Sequence, residues 1–341
     1  MKKIFILFAL ALMCADGMAQ IAGVSCCDWM MLKRQRPGAI TLSQEIGADG
    51  VELDMGPLSK NRLFTNRFRP VADSLTVGKM DYTDPKNNPP RLKTGETEAE
   101  SFLKTLKETG VKVSSMAMSG FYAQNVIRRK FLPGVEMSDA ERIENYKAII
   151  QDLLNTMRIF GTKVAFLPLG GSEKGWQQPG SDDYKVLVER LKMWGDMAAE
   201  EGVVIGVRTA MDAYYDLQLL RDVDSKGIKI YYSFQDVCDR MELPRYEGKP
   251  KDYGTDVIIN ELRLLGADRI ASIHASNTDG FRLREDPELD MPRLKVALEE
   301  IGYHGWLTIE RSRSYKNTRD TRGNYGDNVA YLHEVFGTPA K

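Results

Sequence analysis

The sequence lacks an excess of either charge. Forty-seven Lys and Arg residues balance 48 Asp and Glu residues among 341, which gives a net charge of −1 at pH 7. Because such a chain presents no broad basic field to phosphates or anionic lipid, we expect no nucleic-acid partner. Hydrophobic residues make up 43% and charged residues 28%, a balance that is typical of a folded globular protein.

Cysteine is too rare and too unevenly placed to build a disulfide framework. After Cys14 the chain carries Cys26, Cys27 and Cys238, and two of these are adjacent. Their spacing also excludes a zinc knuckle, so we expect three small thiols that are buried or partly buried. The alternative, in an exported protein, is that two of them form an oxidised pair. Lipidation at Cys14 is disfavoured because the bulky Met13 precedes it, where such a site requires a small residue.

Long apolar runs are absent, so no membrane span is predicted. The short run Ile4–Met13 follows two lysines and precedes the small residues Gly17 and Ala19. This order is typical of a cleaved secretory signal peptide. We therefore predict that residues 1–19 are removed and that the protein is exported to the periplasm or the extracellular space.

Short apolar, β-rich runs alternate with longer amphipathic stretches along the mature chain. The strand-like runs are Ile21–Cys26, Gly50–Asp54, Val111–Met118, Lys163–Leu169, Val203–Thr209, Ile228–Phe234, Ile270–Ser276 and Gly305–Arg311. The helix candidates include Glu98–Thr109, Asp139–Phe160, Asp182–Glu201, Ala213–Val223, Thr255–Leu265 and Pro292–Ile301. Strand and helix in repeated alternation predict parallel strands joined by crossover helices.

Glycine marks the ends of several predicted helices, as in Phe160-Gly161 and Glu201-Gly202. This repeat predicts an α/β fold, a (β/α)₈ TIM barrel that forms a single domain over residues 20–341. A doubly wound open sheet is the alternative, but no glycine-rich phosphate-binding turn follows the first strand. Length alone would allow two domains, yet no linker divides the chain.

The long segment Met55–Gly95 follows the second predicted strand. It should therefore lie at the C-terminal face, where the active sites of barrel enzymes are found. We interpret it as a lid or a substrate-shaping loop, and a merely decorative insertion is the alternative.

Ionisable side chains should converge on that same face. Successive side chains of a strand point to opposite sides, so the neighbours of helix-facing apolar residues face the barrel interior. The inward ionisable residues are Glu52, Asp54, Arg208, His274 and Glu310. Small polar residues share the orientation, namely Ser233, Ser272, Ser276 and Thr308. Because buried ionisable groups are costly unless paired or used, we interpret the five as a functional site.

Only one of the three histidines lies near the end of a predicted strand. His274 shares its orientation with Glu310 on the neighbouring strand, which favours a role in the site over that of a satisfied core residue. His304, in the turn before the eighth strand, and His333, on the last helix, are predicted to lie at the surface.

Further candidates for substrate binding surround the predicted mouth of the barrel. The aromatic ones, which would stack on a sugar ring, are Trp29, Phe121, Tyr122 and Trp176. The polar ones are Asp54, Asp236, Asn277, Arg311 and Arg313. A basic loop that runs from Arg311 to Arg322 would bind a carboxylate or a phosphate, or would simply be solvated.

Three segments carry a family resemblance. Residues 47–53 (Gly-Ala-Asp-Gly-Val-Glu-Leu), Ile273-His274 and Leu307-Thr308-Ile309-Glu310 resemble the second, seventh and eighth strands of the xylose-isomerase-like barrel superfamily. This superfamily includes sugar isomerases, sugar 3-epimerases and endonuclease IV-type enzymes. The resemblance covers almost the whole mature chain and implies the barrel fold. A nuclease is not expected, because three histidines cannot supply the metal cluster of those enzymes.

The resemblance also implies a metal site from which this chain departs. Family epimerases hold a divalent metal with a Glu on the fifth strand, an Asp on the sixth, a His on the seventh and a Glu on the eighth. His274 and Glu310 match, but Arg208 replaces the first Glu and Ser233 the Asp. The metal is then lost, or it is rebuilt from other groups.

Two ligand sets remain open for such a rebuilt site. One consists of Glu52, Asp236 and water. In the other, His274, Glu310 and Asp236 hold Mn²⁺, Mg²⁺ or Zn²⁺. No cofactor is otherwise expected.

Two functions remain open at this point. The first is an exported carbohydrate-active isomerase, epimerase or lyase that abstracts a proton next to a carbonyl, with Glu310, His274, Arg208 and Glu52 as catalytic residues. Its substrate would be a non-phosphorylated sugar, acidic or keto. The alternative is a non-catalytic barrel that binds a sugar or a partner, in which Arg208 forms a structural ion pair. A homodimer is compatible with either function.

Overall fold

The computed structural model describes residues 20–32, 37–56, 66–68, 98–119, 121–127, 138–170, 175–243, 247–250, 252–276, 282–312 and 320–337. The predicted signal peptide and most of Met55–Gly95 lie outside these ranges. No helix within the described ranges is long and apolar enough to cross a membrane.

Eight parallel strands close into a barrel in chain order, with β1 paired to β8. The strands are β1 (Gly23–Cys27), β2 (Gly50–Asp54), β3 (Lys112–Ala117), β4 (Val164–Pro168), β5 (Val204–Arg208), β6 (Ile228–Ser233), β7 (Ile270–His274) and β8 (Trp306–Ile309). The predicted TIM barrel is confirmed. Each predicted strand is present, with its bounds moved by at most two residues.

Helices follow the strands and cover the outside of the barrel. They are α1 (Asp28–Met31), α2 (Gly38–Glu45), α3 (Glu98–Thr109), α4 (Ala123–Ile127), α5 (Asp139–Phe160), α6 (Asp182–Glu200), α7 (Ala213–Val223), α8 (Phe234–Met241), α9 (Tyr253–Leu265), α10 (Met291–Glu300) and α11 (Thr321–Phe336). Short 3₁₀ turns lie at Gly175–Gln177, Ala267–Arg269 and Leu283–Glu285.

Side chains next to the helices explain where several of them begin and end. The Ser138 hydroxyl accepts the N–H of Glu141, whose side chain bonds back to the Ser138 backbone, so α5 starts with a capping box. It ends at Gly161, whose φ of 70° lies in the left-handed region that glycine tolerates. The glycine punctuation of the sequence thus marks a real helix end.

The main hydrophobic core fills the layer between the strands and the helices, where outward-facing residues such as Val51 and Leu53 are fully buried. Inside the barrel the space is divided between small and large residues. A Cβ atom at Gly206 of β5 would lie 2.9 Å from the ring of Tyr231, so glycine leaves the room that this tyrosine occupies. The tyrosine ring can therefore extend across the barrel interior toward β2.

Two register shifts interrupt the ladders where interior side chains meet. One lies between Val51 and Glu52, opposite β3, and the other between Ile230 and Tyr231, opposite β7. Such irregularities change the direction in which a side chain points. Here Tyr231 Oη donates to Glu52 Oε2 over 2.6 Å, which joins the two shifted positions inside the barrel.

The two histidines predicted to lie at the surface differ. His304 is exposed, as predicted. His333 is only 16% exposed, because its Nε2 lies 2.8 Å from Oδ2 of Asp49 at the end of the barrel opposite the mouth. The same carboxylate accepts the backbone N–H of Val24. The prediction for His333 was wrong because a contact between distant parts of the chain partly buries this side chain.

Candidate active site

A cavity of about 260 Å³ opens at the C-terminal ends of the strands. Its lining includes Trp29, Tyr122, Phe166, Arg208, Asp236 and Glu310. This is the face at which the active sites of barrel enzymes lie. Four of these six residues are among the predicted site residues, and Tyr122 is among the predicted aromatic ones.

The guanidinium of Arg208, at the end of β5, lies between two carboxylates. Its Nε and Nη2 donate to the two oxygens of Asp236, over 2.8 and 2.6 Å. Its Nη1 donates to Oε2 of Glu310 over 2.7 Å. The Arg208, Asp236 and Glu310 side chains are 15%, 11% and 19% exposed, so this group of ions lines the cavity while it is largely withdrawn from water.

Electrostatics keeps this group charged. Burial alone would raise the pKa of Glu310, but the charges of Arg208 and His274 outweigh it and lower that pKa to about 2. Burial alone would lower the pKa of Arg208, yet Asp236 and Glu310 raise it well above its usual value. Glu310 is thus ionised at any ordinary pH.

His274, at the end of β7, is fully buried directly behind this group. Its Nδ1 lies 3.5 Å from both Glu310 Oε2 and Arg208 Nη1, and its Nε2 lies 2.9 Å from Glu52 Oε1. The rings of Phe166 and Tyr231 pack against the imidazole, with centroids 4.8 and 4.6 Å away. The imidazole therefore connects the ions of the cavity to the interior of the barrel.

Glu52 is saturated with hydrogen-bond donors on the other side of that imidazole. Oε1 accepts from Cys27 Sγ over 3.1 Å and faces His274 Nε2, and Oε2 accepts from the hydroxyls of Ser115 and Tyr231. Burial would raise the pKa of Glu52, but His274 and these hydrogen bonds lower it. Since Glu52 lies off the cavity, it can act on a bound molecule only through His274.

Cys27 contributes a thiol and not a thiolate. Burial first, and then the nearby charges of Glu52 and Glu310, raise its pKa well above the usual value. The S–H group is thus available as the donor to Glu52. The three cysteines Cys26, Cys27 and Cys238 are free and buried, as predicted, but Cys27 also takes part in the polar network.

The residues do not fit the family's metal ion. The pocket-facing nitrogen of His274 and the carboxylate of Glu310 both adjoin the Arg208 guanidinium, a fixed cation that would repel a metal ion. Ser233 replaces the sixth-strand Asp, and its buried hydroxyl has no hydrogen-bond partner within the described part of the chain. Glu52 and Asp236 lie on different sides of the imidazole, so they do not form a rebuilt site either.

One other group has metal-ligand chemistry among the described residues. The side-chain ligand atoms of Cys27, Glu52 and His274 lie within 4.8 Å of one another, and all three residues are buried. In the hydrogen-bonded arrangement, both the thiol and the imidazole point toward the same carboxylate oxygen. A bound metal would have to displace both contacts, so the group is better explained as a polar network.

The predicted aromatic residues separate into two sets. Trp29 and Tyr122 line the cavity, and the Trp29 ring is nearly parallel to Phe166, with centroids 6.4 Å apart. Phe121 packs against Trp194, and Trp176 against Tyr215, deep in the outer core. The prediction was wrong for Phe121 and Trp176, because a buried aromatic near a strand end and a site aromatic look alike in sequence.

Asp54 is buried beside a different partner. The carboxylate of Asp28 accepts the backbone N–H of Asp54 over 3.0 Å and pairs with Arg67 over 2.6 Å. Burial and the charge of Asp28 raise the pKa of Asp54 to about 7. Arg67, which also lies over the rings of Phe68 and Phe102, thus holds a described part of the Met55–Gly95 segment against α1 and α3.

The basic loop after β8 is only partly described. Arg311 is exposed, and Arg322 pairs with Glu45 on α2. Asn277 and Arg313 lie outside the described residues. Nothing in the described part of the loop places a further cation in the cavity lining.

Three residues of the interior network were missed in the sequence. Cys27, Ser115 and Tyr231 all contact Glu52. The strand alternation that directs Ser233 inward also directs Tyr231 inward, two residues earlier. The signal that identified Ser233 thus also pointed to Tyr231.

Comparisons with known proteins agree with this architecture. The xylose isomerase-like TIM barrel family model matches residues 40–335. The fold is similar to that of 3-keto-D-glucoside 4-epimerase from E. coli in its apo form, with 16% identity, a TM-score of 0.59, and coverage of 91% of this chain and 98% of that one.

Two other solved structures are similar over comparable lengths. D-psicose 3-epimerase, solved in the presence of D-fructose, has 12% identity, a TM-score of 0.60, and coverage of 92% and 99%. A sugar phosphate isomerase/epimerase from Parabacteroides distasonis has 12% identity, a TM-score of 0.60, and coverage of 95% and 96%. No curated protein matches the sequence. The family match over most of the chain shows that it belongs to the xylose isomerase-like TIM barrels.

Proposed function

We propose that this protein is a sugar epimerase or isomerase that works by proton transfer at a carbon next to a carbonyl group. One observation carries the proposal: the Arg208 guanidinium lies between the Asp236 and Glu310 carboxylates in a cavity with an aromatic wall. A cation flanked by two carboxylates can stabilise an enolate while a base on either side exchanges a proton.

The residues divide the work as follows. An N–H of Arg208 donates to the substrate's carbonyl oxygen and stabilises the negative charge that develops there. Glu310 accepts the proton from the adjacent carbon, and the electron pair of the broken C–H bond forms the enolate. Asp236, after taking up a proton from solvent, returns it to the opposite face of the same carbon and gives the epimer, while Glu310 releases its proton to solvent. A proton returned to the former carbonyl carbon gives the isomer when a proton also moves from the neighbouring hydroxyl to the enolate oxygen. His274, held by Glu52, orients Glu310 from behind.

The low pKa of Glu310 sets a condition on this chemistry. In the free protein Arg208 makes this carboxylate a weak base. When the substrate oxygen shares the N–H groups of Arg208, less of the guanidinium charge stabilises Glu310, and its basicity rises. Substrate binding would therefore activate the base at the moment when it is needed.

The charge of the lining favours an uncharged keto sugar over an acidic one. Two carboxylates and one guanidinium line the described cavity, and both edges of the guanidinium are already paired. An acidic sugar would have to displace Asp236 or Glu310. Trp29 offers an apolar face to the C–H side of a sugar ring. The names of two structural neighbours, epimerases of a keto-glucoside and of psicose, agree with this substrate class.

The proposal has two finer parts, which are a lyase reaction and export from the cell. The same enolate would expel a leaving group from the next carbon, so a lyase acting on keto-glycosides uses identical residues. The signal-like residues 1–19 support export, which makes phosphorylated sugars poor candidates.

Hydrogen exchange tests the proposal directly. The mature protein is incubated with a panel of free keto sugars and keto-glycosides in D₂O, and NMR follows deuterium entering next to the carbonyl. We expect exchange for at least one sugar, and a loss of roughly 10²–10⁴-fold in Glu310→Gln. Glu261→Gln is the matched control, because Glu261 is another buried carboxylate paired with an arginine, Arg240, outside the cavity.

Other results would decide against an enzyme. Sugar binding without exchange in the wild-type protein would favour the non-catalytic barrel, in which the ions of the cavity hold a ligand. Equal loss of exchange in Glu310→Gln and Glu261→Gln would show that the variants act through stability. All assays are made at a temperature at which every variant is folded.

A further inference from the structure

We propose that Arg208 is a covalently tethered cation that occupies a divalent-cation site made of Asp236, Glu310 and His274, so that the wild-type cavity binds no divalent metal. The inference concerns the charge of the site and stands whether or not the protein turns over a sugar. It also accounts for the mismatch between this chain and the metal ligands of its family.

Geometry supports a cation site from three directions. Asp236 presents both carboxylate oxygens to one edge of the guanidinium, and Glu310 presents Oε2 to its Nη1. His274 directs Nδ1 at the same Nη1 over 3.5 Å. Around the guanidinium their ligand atoms do not all lie within 4.8 Å of one another, so the three groups would have to move together once it is removed. Two carboxylates and one imidazole are then ligands that Mn²⁺ or Zn²⁺ accepts.

The two carboxylates require a cation at the position of the guanidinium. Without Arg208, the Asp236 and Glu310 carboxylates, which are 11% and 19% exposed, would lose the only cation that pairs with them directly in the described structure. The imidazole of His274 and the charges of Arg240 and Arg311 would remain nearby. Unpaired buried carboxylates are strongly destabilising, and they bind a metal ion when one is supplied. Removing the guanidinium should therefore create a metal site that the native chain does not possess.

The neighbouring Arg240 provides a matched control. Its guanidinium is also largely buried and pairs with both oxygens of Glu261, with N–O distances of 2.7 and 2.8 Å. Tyr232 donates to the same carboxylate, and no histidine contacts this pair in the described structure. Removing Arg240 should destabilise the fold as removing Arg208 does, but it should not create a metal site.

The experiment compares metal binding in four folded proteins: wild type, Arg208→Ala, Arg208→Lys and Arg240→Ala. Mn²⁺ binding is measured by titration calorimetry and by the loss of the free Mn²⁺ EPR signal, and Tm is recorded with Mn²⁺, Zn²⁺ or EDTA. We expect the wild type and Arg208→Lys to ignore all three additions. Arg208→Ala should bind one Mn²⁺ at least tenfold more tightly than the wild type, and saturating metal should raise its Tm by about 5 °C.

A folding failure does not remove the test. If Arg208→Ala is insoluble, Arg208→Gln keeps part of the side-chain volume and one hydrogen-bonding amide while it removes the charge, and the same gain is expected. Wild-type measurements need no variant at all. A stoichiometric metal in the purified wild type would overturn the proposal. This holds if the metal lies in the cavity, where Glu310→Gln would abolish its binding, and equally if it lies in the interior, where Cys27→Ser would abolish it. Equal metal binding by Arg208→Ala and Arg240→Ala would overturn it as well, because the gain would then not depend on the three-sided site.

Discussion

The two nitrogens of His274 face two different environments. On the Nδ1 side, Arg208 and Glu310 form a charged group that touches the cavity, with side chains 15% and 19% exposed. On the Nε2 side, Glu52 is completely buried and is surrounded by donors from Cys27, Ser115 and Tyr231.

Both sides hold an ionised carboxylate, but they do so by different means. Opposite charge dominates on the cavity side, and hydrogen bonds from neutral groups assist the imidazole on the interior side. An ion pair responds to ligands and to pH, whereas a saturated hydrogen-bond network resists both. The comparison indicates that the interior side provides rigidity and the cavity side provides response.

Removing the carboxylate on the interior side should have the largest effect. Glu52→Ala leaves the imidazole, a thiol and two hydroxyls buried without their acceptor, so we expect the free energy of unfolding to fall by about 3–5 kcal/mol. Urea denaturation measures the loss. Glu52→Gln, which keeps one acceptor oxygen, should lose less. A fall of under about 1 kcal/mol in Glu52→Ala would show that the network does not support the fold.

Acid should affect the cavity side next. The pKa of Glu310 falls from 4.5 to about 2 on folding, so its ionised form contributes stability that is complete above about pH 4.5. That contribution, about 3 kcal/mol at most, is lost as the pH falls toward 2. Unfolding measured between pH 5 and 2 should show a shallower loss in Glu310→Gln than in the wild type. Parallel curves would contradict the assignment.

Deleting one hydroxyl should have a smaller effect on the interior side. Tyr231→Phe keeps the ring that packs on His274 and Phe166 but removes the donor to Glu52 Oε2, where Ser115 remains. We expect a loss of about 1–2 kcal/mol in chemical denaturation. Tyr232→Phe, which removes a donor from Glu261 on the outside of the barrel, is the matched control. If only Tyr231→Phe, and not Tyr232→Phe, also alters deuterium exchange into the sugar, the interior network influences the cavity through His274.

The weakest donor should matter least. Cys27→Ser replaces a thiol by a hydroxyl that can still donate to Glu52, so we expect a change of about 1 kcal/mol or less. Thermal unfolding measures the change, with Cys26→Ser as the control, because Cys26 lies in the apolar core and not in the network. A larger loss for Cys27→Ser than for Cys26→Ser would give the thiol a role beyond hydrogen bonding.

The fold could be predicted from the sequence because its signals are local and repeated. Gly50–Asp54 and Asp139–Phe160 have the predicted bounds, since strand alternation and helix caps are written within a few residues. The convergence of Arg208, His274 and Glu310 also followed from alternation alone. Each of these inferences needed only the direction of a side chain relative to its own strand.

The partners of those side chains could not be predicted in the same way. That Asp54 is buried next to Asp28, and Asp236 next to Arg208, depends on the separation of neighbouring strand ends. The buried location of Trp176 depends on the packing of a 3₁₀ turn against α7. Alternation specifies which way a residue points but not which neighbour it meets.

The positive charge of Arg208 is part of the polypeptide, so the site does not depend on an ion from the medium. Arg208 is present in every copy as soon as the barrel closes, and its guanidinium stays protonated at any pH at which the fold survives. An ion taken from the surroundings would exchange with them and would be lost to chelators. On the proposal that Arg208 occupies the cation site, the pocket of this barrel has the same electrostatics in a metal-poor medium as in a metal-rich one.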